Sequence, residues 1–193
     1  TKGKKAYLFQ ADFRSVKEGF QLVKKVRAVT DKLDILIHNA SVFSEADAVT
    51  SSHDILAEDF TTWDEAFAVH VRSPFFLTQA FYRELAEARN TGSGRVITIL
   101  DANASVGMVS RAAYSLSKKS LEDFTYYAAM TLKPKVEVYG LQLKPTLPAA
   151  GMTETEKKRL IWQNPEMAVK ALVDLCTYGS KEGVVLSPKD VLV

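Results

Sequence analysis

Apolar and polar residues alternate along the chain in two different patterns. Some short runs are almost continuously apolar, which is typical of buried strands. The longer segments between them repeat apolar residues every three or four positions, which is typical of amphipathic helices. Strands are predicted at five runs: KKAYLFQAD, LDILIHNAS, GRVITIL, VEVYGLQLKP and EGVVLS. Because these strands and helices take turns, the pattern predicts an α/β fold with a parallel sheet covered by helices on both faces.

Local signals indicate where the helices begin and break. The segment SVKEGFQLVKKVRAVTD opens with Ser15 and Glu18 at capping-box spacing. Thr62 and Glu65 form a second candidate box at the start of a long helix, TTWDEAFAVHVRSPFFLTQAFYRELAEAR. Pro74 inside this helix predicts a kink or a local break. Two further helices are predicted, one from about Ala112 to Leu132 and one at NPEMAVKALVDLC.

The composition indicates a single soluble domain over residues 1–193. Hydrophobic residues make up 47% of the chain and charged residues 25%, which is enough for a sizeable core. A net charge of +2 argues against a nucleic-acid or membrane surface, and no apolar run reaches membrane-spanning length. The single cysteine, Cys176, cannot form an internal disulfide, which favours a cytoplasmic location. His38 and His53 lack ligand-spaced partners, so no metal site is predicted.

The candidate chemistry lies where the predicted strands end. Asp12, Asn39, Asp101 and Pro145 all fall at the carboxyl ends of strands. Parallel sheets bind ligands beyond that edge, because loops and helix N-termini meet there. These four positions therefore mark the expected binding edge.

Tyr114 and Lys118 lie one helical turn apart in AAYSLSKKSLEDF, so their side chains fall on the same helix face. A lysine ammonium stabilises a tyrosine phenolate, which lets the tyrosine give or take a proton near neutral pH. With Asp101 closing the strand upstream, this arrangement suits reduction of a polarised C=O or C=N by a hydride cofactor. An ordinary exposed pair on a helix, and an Asp101 that only caps the following turn, are the alternatives.

These residues carry a resemblance to the short-chain dehydrogenase/reductase family, in the right order along nearly the whole chain. Tyr114 and Lys118 match its catalytic Tyr-x-x-x-Lys pair, and residues 38–41 (HNAS) match its Asn-Asn-Ala-Gly segment. Residues 144–146 (KPT) stand where the family has Asn-Pro-Gly, and Asp12 matches the acidic residue that contacts the adenine. The resemblance implies a Rossmann-like, doubly wound sheet, a nicotinamide cofactor, and a homodimer or homotetramer formed through the two long helices.

Three details look like the pteridine reductases and the bacterial dihydromonapterin or dihydrofolate reductases. Asp101 stands where most family members have serine, and Ser41 replaces the usual glycine. Phe43 falls where an aromatic ring stacks on the pterin, although an ordinary core position is the alternative for it. This resemblance implies reduction of a pterin or dihydrofolate C=N, with NADP(H) favoured over NAD(H).

The resemblance also assigns roles residue by residue. The expected catalytic residues are Asp101, Tyr114 and Lys118. The expected cofactor contacts are Asp12, Asn39, Ala40, Ser41, Tyr114, Lys118, Pro145 and Leu147. The expected substrate contacts are Ser41, Phe43, Asp101 and Tyr114.

Two features depart from the family pattern. His70 stands where the family usually has an asparagine, and it is either a satisfied core histidine or part of a proton relay. The glycine-rich turn that cradles the cofactor pyrophosphate is missing, so the sequence is expected to begin just before the family's third strand. Two alternatives to a pterin reductase follow: a carbonyl reductase or alcohol dehydrogenase with another substrate, and a non-catalytic scaffold of the same fold.

Overall fold

The computed structural model describes residues 5–42, 58–88, 93–104, 112–147, 154–159 and 161–191. The strands in these ranges are β1 (Ile35–His38), β2 (Gly94–Asp101), β3 (Val136–Leu143) and β4 (Val185–Leu186). The helices are α1 (Val16–Arg27), α2 (Phe60–Phe67), α3 (Ser73–Ala86), α4 (Ala112–Leu132), α5 (Glu154–Arg159), α6 (Pro165–Tyr178) and α7 (Pro188–Val191). A π-helical turn, Ala68–Arg72, joins α2 to α3.

The strands form one parallel sheet in the order β1-β2-β3-β4. Side chains alternate between its faces, so neighbouring residues of one strand enter different cores. The core beneath α1, α3 and α4 contains Val23, Leu77, Phe81, Leu85, Val96, Ala128, Ala129, Val136 and Val138. The core beneath α6 contains Ile97, Tyr139, Leu141, Ala171, Leu175 and Leu186. The predicted parallel sheet with helices on both faces is confirmed.

The first predicted strand, KKAYLFQAD, is wrong for its described residues. Residues 5–12 are not part of the sheet, and Tyr7 and Leu8 are exposed. Apolar character makes a segment suitable for a strand, but a strand exists only where a neighbour pairs its N–H and C=O groups. No described strand lies beside this segment. It makes isolated contacts instead, such as the hydrogen bond from Nζ of Lys25 to the carbonyl of Gln10 at 3.3 Å.

The two predicted capping boxes have different outcomes. Ser15 does cap α1, because its Oγ accepts from the N–H of Glu18 at 3.4 Å, but the Glu18 carboxylate reaches the N–H of Asp12 at 2.7 Å. The box at Thr62 and Glu65 is wrong. Asp59 caps α2 instead, accepting from both the N–H and the hydroxyl of Thr62 at 2.9 and 2.7 Å. Aspartate is a stronger N-cap than threonine, so the helix begins three residues earlier.

The predicted break at Pro74 is confirmed as a π-helical turn. Pro74 has no N–H to donate to the carbonyl of His70, four residues earlier in the chain. The N–H of Ser73 reaches back five residues to the carbonyl of Ala68, and the helix widens over Ala68–Arg72. Helical structure then resumes as α3. The wider turn contains His70, whose side chain is completely buried.

The remaining elements are close to their predicted positions. The helix α4 spans Ala112–Leu132 as predicted, β2 and β3 follow GRVITIL and VEVYGLQLKP, and α6 begins after an Asn164 cap. The short helices α5 and α7 were not predicted from the sequence. None of the helices in the described part of the chain has both the length and the apolar character needed to cross a lipid bilayer.

Candidate active site

The carboxyl edge of the sheet brings together residues that lie far apart in the sequence. The chain leaves β1 through Asn39, Ala40 and Ser41, and β2 ends at Asp101. The first turns of α4 place Tyr114 and Lys118 beside β2, since their partners there are Asp101 and the Ile99 carbonyl. The parallel register of β1 and β2 thus puts both strand ends on one edge.

Tyr114 and Asp101 are joined by a direct hydrogen bond. The phenol of Tyr114 donates to Oδ2 of Asp101 at 2.8 Å. The other carboxylate oxygen, Oδ1, accepts from the backbone N–H of Asn103 at 2.8 Å. The second bond is the turn cap that the sequence offered as an alternative for Asp101. The Asp101 carboxylate therefore has two roles. Its Oδ1 caps the turn, which fixes the orientation of the carboxylate, and its Oδ2 accepts the hydrogen bond from the Tyr114 phenol.

Lys118 lies under this pair in a nearly closed environment. Its side chain is buried, and its Nζ donates to the carbonyl of Ile99 at 3.3 Å. The ammonium also lies 5.9 Å from the centre of the Tyr114 ring. Burial lowers the pKa of Lys118 to about 8, although the charge of Asp101 opposes the shift. The lysine is therefore a cation at neutral pH that is close to losing its proton.

His70 is fully buried between the chain after β1 and the helix α4. Its Nε2 accepts from the N–H of Val42 at 3.1 Å and lies 2.9 Å from Oγ of Ser41. Its Nδ1 lies 2.8 Å from Oγ of Ser117. The imidazole meets the ring of Tyr114 edge-on, with the ring centres 5.5 Å apart. Burial, aided by the charge of Lys118, lowers the pKa of His70 to about 3, so the ring is neutral at physiological pH.

The other expected cofactor residues border the same edge. Asn39 and Ala40 are exposed after β1. The carbonyl of Pro145, after β3, accepts from the N–H of Gln163 at 2.8 Å, and the side chain of Leu147 is exposed. Phe43 lies outside the described residues, so its role as a platform for a pterin stays a prediction.

Asp12, the expected adenine contact, is already paired. Its carboxylate accepts from the guanidinium of Arg14, with Nη2 at 2.9 Å and Nε at 3.0 Å, and from the Arg14 N–H at 2.9 Å. The same guanidinium reaches Glu65 at 2.9 Å. These hydrogen bonds from Arg14 lower the pKa of Asp12. Asp12 remains partly exposed, and its contact with a cofactor stays a prediction.

Two residues of this neighbourhood had no predicted role. Ser117 is buried and donates to the carbonyl of Tyr114 at 2.9 Å. Its spacing of three residues from Tyr114 was the available signal, because it puts a polar residue on the face of Tyr114 and Lys118. Glu58 accepts from the N–H of Ala113 at 2.9 Å, at the start of α4. The two lie 55 residues apart, and no local pattern connects them.

A solved structure of another protein has a similar fold. A solved structure described as FolM alternative dihydrofolate reductase 1 from Brucella canis, complexed with NADP, superposes with a TM-score of 0.77 at 23% identity, covering 97% of this chain and 74% of the other. That level of identity supports the fold alone.

Curated relatives are similar over most of this chain. An uncharacterized oxidoreductase of Thermotoga maritima is 27% identical over 81% of this chain and 57% of its own length. A dihydromonapterin reductase of Enterobacter sp. is 29% identical over 69% of this chain and 52% of its own length. The chain thus spans about half the length of these relatives. A family model described as short chain dehydrogenase matches residues 1–160. With the parallel sheet and the Tyr114–Lys118 pair, this match shows that the chain belongs to the short-chain dehydrogenase family.

Proposed function

We propose that the protein is an NADPH-dependent reductase of a pterin or dihydrofolate C=N. The observation that carries the proposal is the hydrogen bond of 2.8 Å between the Tyr114 phenol and the Asp101 carboxylate. A serine at this position offers a hydroxyl to a carbonyl oxygen. A carboxylate instead accepts N–H groups, which the 2-amino-pyrimidine edge of a pterin supplies. The dihydromonapterin reductase among the relatives supports this choice.

The residues at the carboxyl edge fit the nicotinamide-ribose half of the cofactor. A buried ammonium beside a phenol, with the exposed Asn39 after β1, offers donors and acceptors for ribose hydroxyls and a carboxamide. We assign Lys118 to the ribose, Asn39, Ala40 and Ser41 to the cofactor wall, Pro145 and Leu147 to the nicotinamide, and Asp12 to the adenine. NADP(H) is favoured because a structural neighbour was solved with NADP. When bound, the nicotinamide supplies the hydride.

The protein's part in the reaction is to deliver and balance a proton. Reduction of a C=N adds a hydride to carbon and a proton to nitrogen. Tyr114 holds that proton on its Oη, and the nearby ammonium of Lys118 stabilises the phenolate that remains. Asp101 orients the phenol through Oδ2 and carries the negative charge that holds the N–H groups of the substrate. Because Asn103 fixes its other oxygen, this acceptor is set before the substrate binds.

The proposed activity is tested by oxidation of NADPH in the presence of dihydrobiopterin or dihydrofolate. Tyr114→Phe is expected to lower turnover by at least about a hundredfold, the usual contribution of a general acid. Tyr178→Phe is the matched control, since Tyr178 is exposed at the end of α6 and is expected to keep normal turnover. Near-normal turnover of Tyr114→Phe would contradict the assignment of Tyr114 as the proton donor. Failure to bind NADPH or NADH would favour the non-catalytic scaffold.

We also propose that two copies associate through α3 and α4. Support comes from a groove between these helices and from the large exposed side chains around it. These are Phe75, Tyr82 and Tyr127. An exposed apolar patch of this kind is typical of an interface between protein chains. Because α4 carries Tyr114 and Lys118, such an interface would also stabilise the position of the catalytic helix.

A further inference from the structure

We propose that His70 is a positioning residue that ties the Ser41–Val42 segment to the catalytic helix α4 in one fixed tautomer. The residue sits between two parts of the site that the fold supplies separately, the chain after β1 and the first turns of α4. The consequence for catalysis rests on the reductase activity proposed above. The tautomer and the contacts do not depend on that activity.

The tautomer follows from the donors around the ring. The backbone N–H of Val42 can only donate, so Nε2 of His70 must be the unprotonated nitrogen. The proton therefore lies on Nδ1, which donates to Oγ of Ser117. The hydroxyl of Ser117 in turn donates a hydrogen bond to the carbonyl of Tyr114 at 2.9 Å. Ser41 donates its hydroxyl to Nε2 as a second donor. Each ring nitrogen thus has a partner of the opposite kind.

This chain of bonds ends at the backbone of Tyr114 and not at its phenol. The phenol donates to Asp101, and the ring of His70 meets the Tyr114 ring edge-on. The hydrogen bonds of His70 therefore lead to the backbone of the turn that carries Tyr114, and they set the position of this turn relative to Val42.

The position of His70 in a π-helical turn explains how its side chain contacts both the Ser41–Val42 segment and the helix α4. Pro74 withholds the hydrogen bond that the His70 carbonyl would accept in an α-helix, and the backbone widens at this residue. Single π-helical turns inside α-helices are frequently found at functional sites. Here the ring is completely buried, so the three hydrogen bonds to it form in a low dielectric and out of competition with water.

Two amide substitutions separate the two sides of the ring. The amide of His70→Gln reaches as far as Nε2 and can keep Ser41 and Val42, whereas that of His70→Asn reaches only as far as Nδ1 and can keep Ser117. We expect each variant to lower kcat roughly tenfold to a hundredfold, as is usual when a group that orients a reacting residue is lost. The double variant His70→Asn with Ser117→Ala should have a lower kcat than His70→Asn alone, because it also removes the hydrogen bond between residue 70 and Ser117.

Thr125→Val is the matched control for Ser117→Ala. Thr125 lies on the same helix, is fully buried, and bonds Thr98 at 2.7 Å and the carbonyl of Leu121 at 2.7 Å. Both substitutions remove one buried hydroxyl from α4, but only one touches His70. We expect Ser117→Ala to lower kcat with a small change in KM and Thr125→Val to leave kcat unchanged. An equal loss of kcat in both variants would reduce His70 to a general structural role and overturn the proposal.

A second readout needs no turnover. Nitrogen NMR of the full-length protein labelled at histidine should show His70 in the Nδ1-protonated form at neutral pH, with no exchange between tautomers. A proton on Nε2, or averaging of the two nitrogens, would overturn the proposal even in an active enzyme. If neither pterin is turned over but the predicted tautomer is found, the reductase assignment fails and the tie between the two segments stands.

Discussion

Tyr114 and Asp101 are bonded side chain to side chain at 2.8 Å, although one lies on a helix and the other ends a strand thirteen residues earlier. The contact forms because β2 delivers Asp101 to the carboxyl edge of the sheet and α4 turns back across that edge. Asn103 holds the second carboxylate oxygen, so Asp101 has little freedom to turn away from the phenol.

Replacing Asp101 tests which class of substrate the site takes. We expect Asp101→Ser to lower pterin turnover at least about tenfold, because the carboxylate that accepts the substrate N–H groups is lost. The same change should leave reduction of simple ketones unchanged or improved. Steady-state kinetics with dihydrobiopterin and with a ketone measure both effects. Unchanged pterin binding together with faster ketone reduction would favour the carbonyl reductase alternative.

The activity should have an alkaline limb set by Lys118. Burial lowers the pKa of this lysine to about 8, so its positive charge is present below that pH and is lost above it. We expect kcat/KM for NADPH to fall as the pH rises through about 8. Lys119→Met is the control, because Lys119 is exposed on the same turn and should leave the profile unchanged. A profile that stays flat to about pH 10 would contradict the prediction.

Acid should destabilise the fold through two buried histidines. Burial lowers the pKa of His38 to about 4 and that of His70 to about 3, whereas the unfolded chain binds protons near 6.5. The unfolded state therefore takes up more protons below pH 6.5, and stability is lost as the pH falls toward 4. Each histidine adds at most about 1.4 kcal/mol per pH unit.

The measurement is urea unfolding between about pH 7 and pH 5. His38 lies 2.8 Å from Oγ1 of Thr78 through Nε2, so His38→Gln can keep this contact without the titrating group. The variant should show a weaker loss of stability with falling pH than the wild type. Equal pH dependence in the two proteins would mean that His38 does not contribute.

Glu58 should stabilise the start of the catalytic helix. Its carboxylate accepts from the N–H of Ala113, and a negative charge at a helix N-terminus is favourable. We expect Glu58→Ala to lower the free energy of unfolding by about 1 kcal/mol and Glu58→Gln to lower it less. Glu87→Ala removes an exposed ion pair with Arg83 and should change it by less than about 0.5 kcal/mol. Thermal denaturation of the three variants decides between these outcomes.

Tyr127→Glu should separate the proposed dimer. The side chain of Tyr127 is exposed in the groove between α3 and α4, and a buried unpaired carboxylate there would oppose association. Val169→Glu places the same charge on the exposed surface of α6 and should leave the dimer intact. Analytical ultracentrifugation gives the mass of each variant. A wild-type monomer at micromolar concentration would contradict the proposed assembly.

The order of strands and helices and the Tyr114–Lys118 pair could be predicted from the amino-acid sequence. Periodicity depends on neighbouring residues, so it located α4 to within its observed ends and assigned β2 and β3. The break at Pro74 followed from its missing N–H, and the Tyr114–Lys118 pair followed from the helical turn. Each of these features is set by covalent geometry or by residues a few positions apart.

Features that depend on contacts between residues far apart in the chain could not be predicted in this way, because the packing of the fold sets them. Residues 5–12 have the apolar character of a strand, but strands need a neighbour for their backbone groups, and none of the described ones lies there. The N-cap of α2 is an exception among the differences from the prediction, because the choice of Asp59 over Thr62 is made by residues three positions apart. The contacts of His70 with Val42 and Ser117 join three segments, because the π-helical turn packs against α4 while β1 packs against α3. The burial of His70 between Val42 and Ser117 depends on contacts over long distances in the chain, which the spacing of residues in the sequence does not encode.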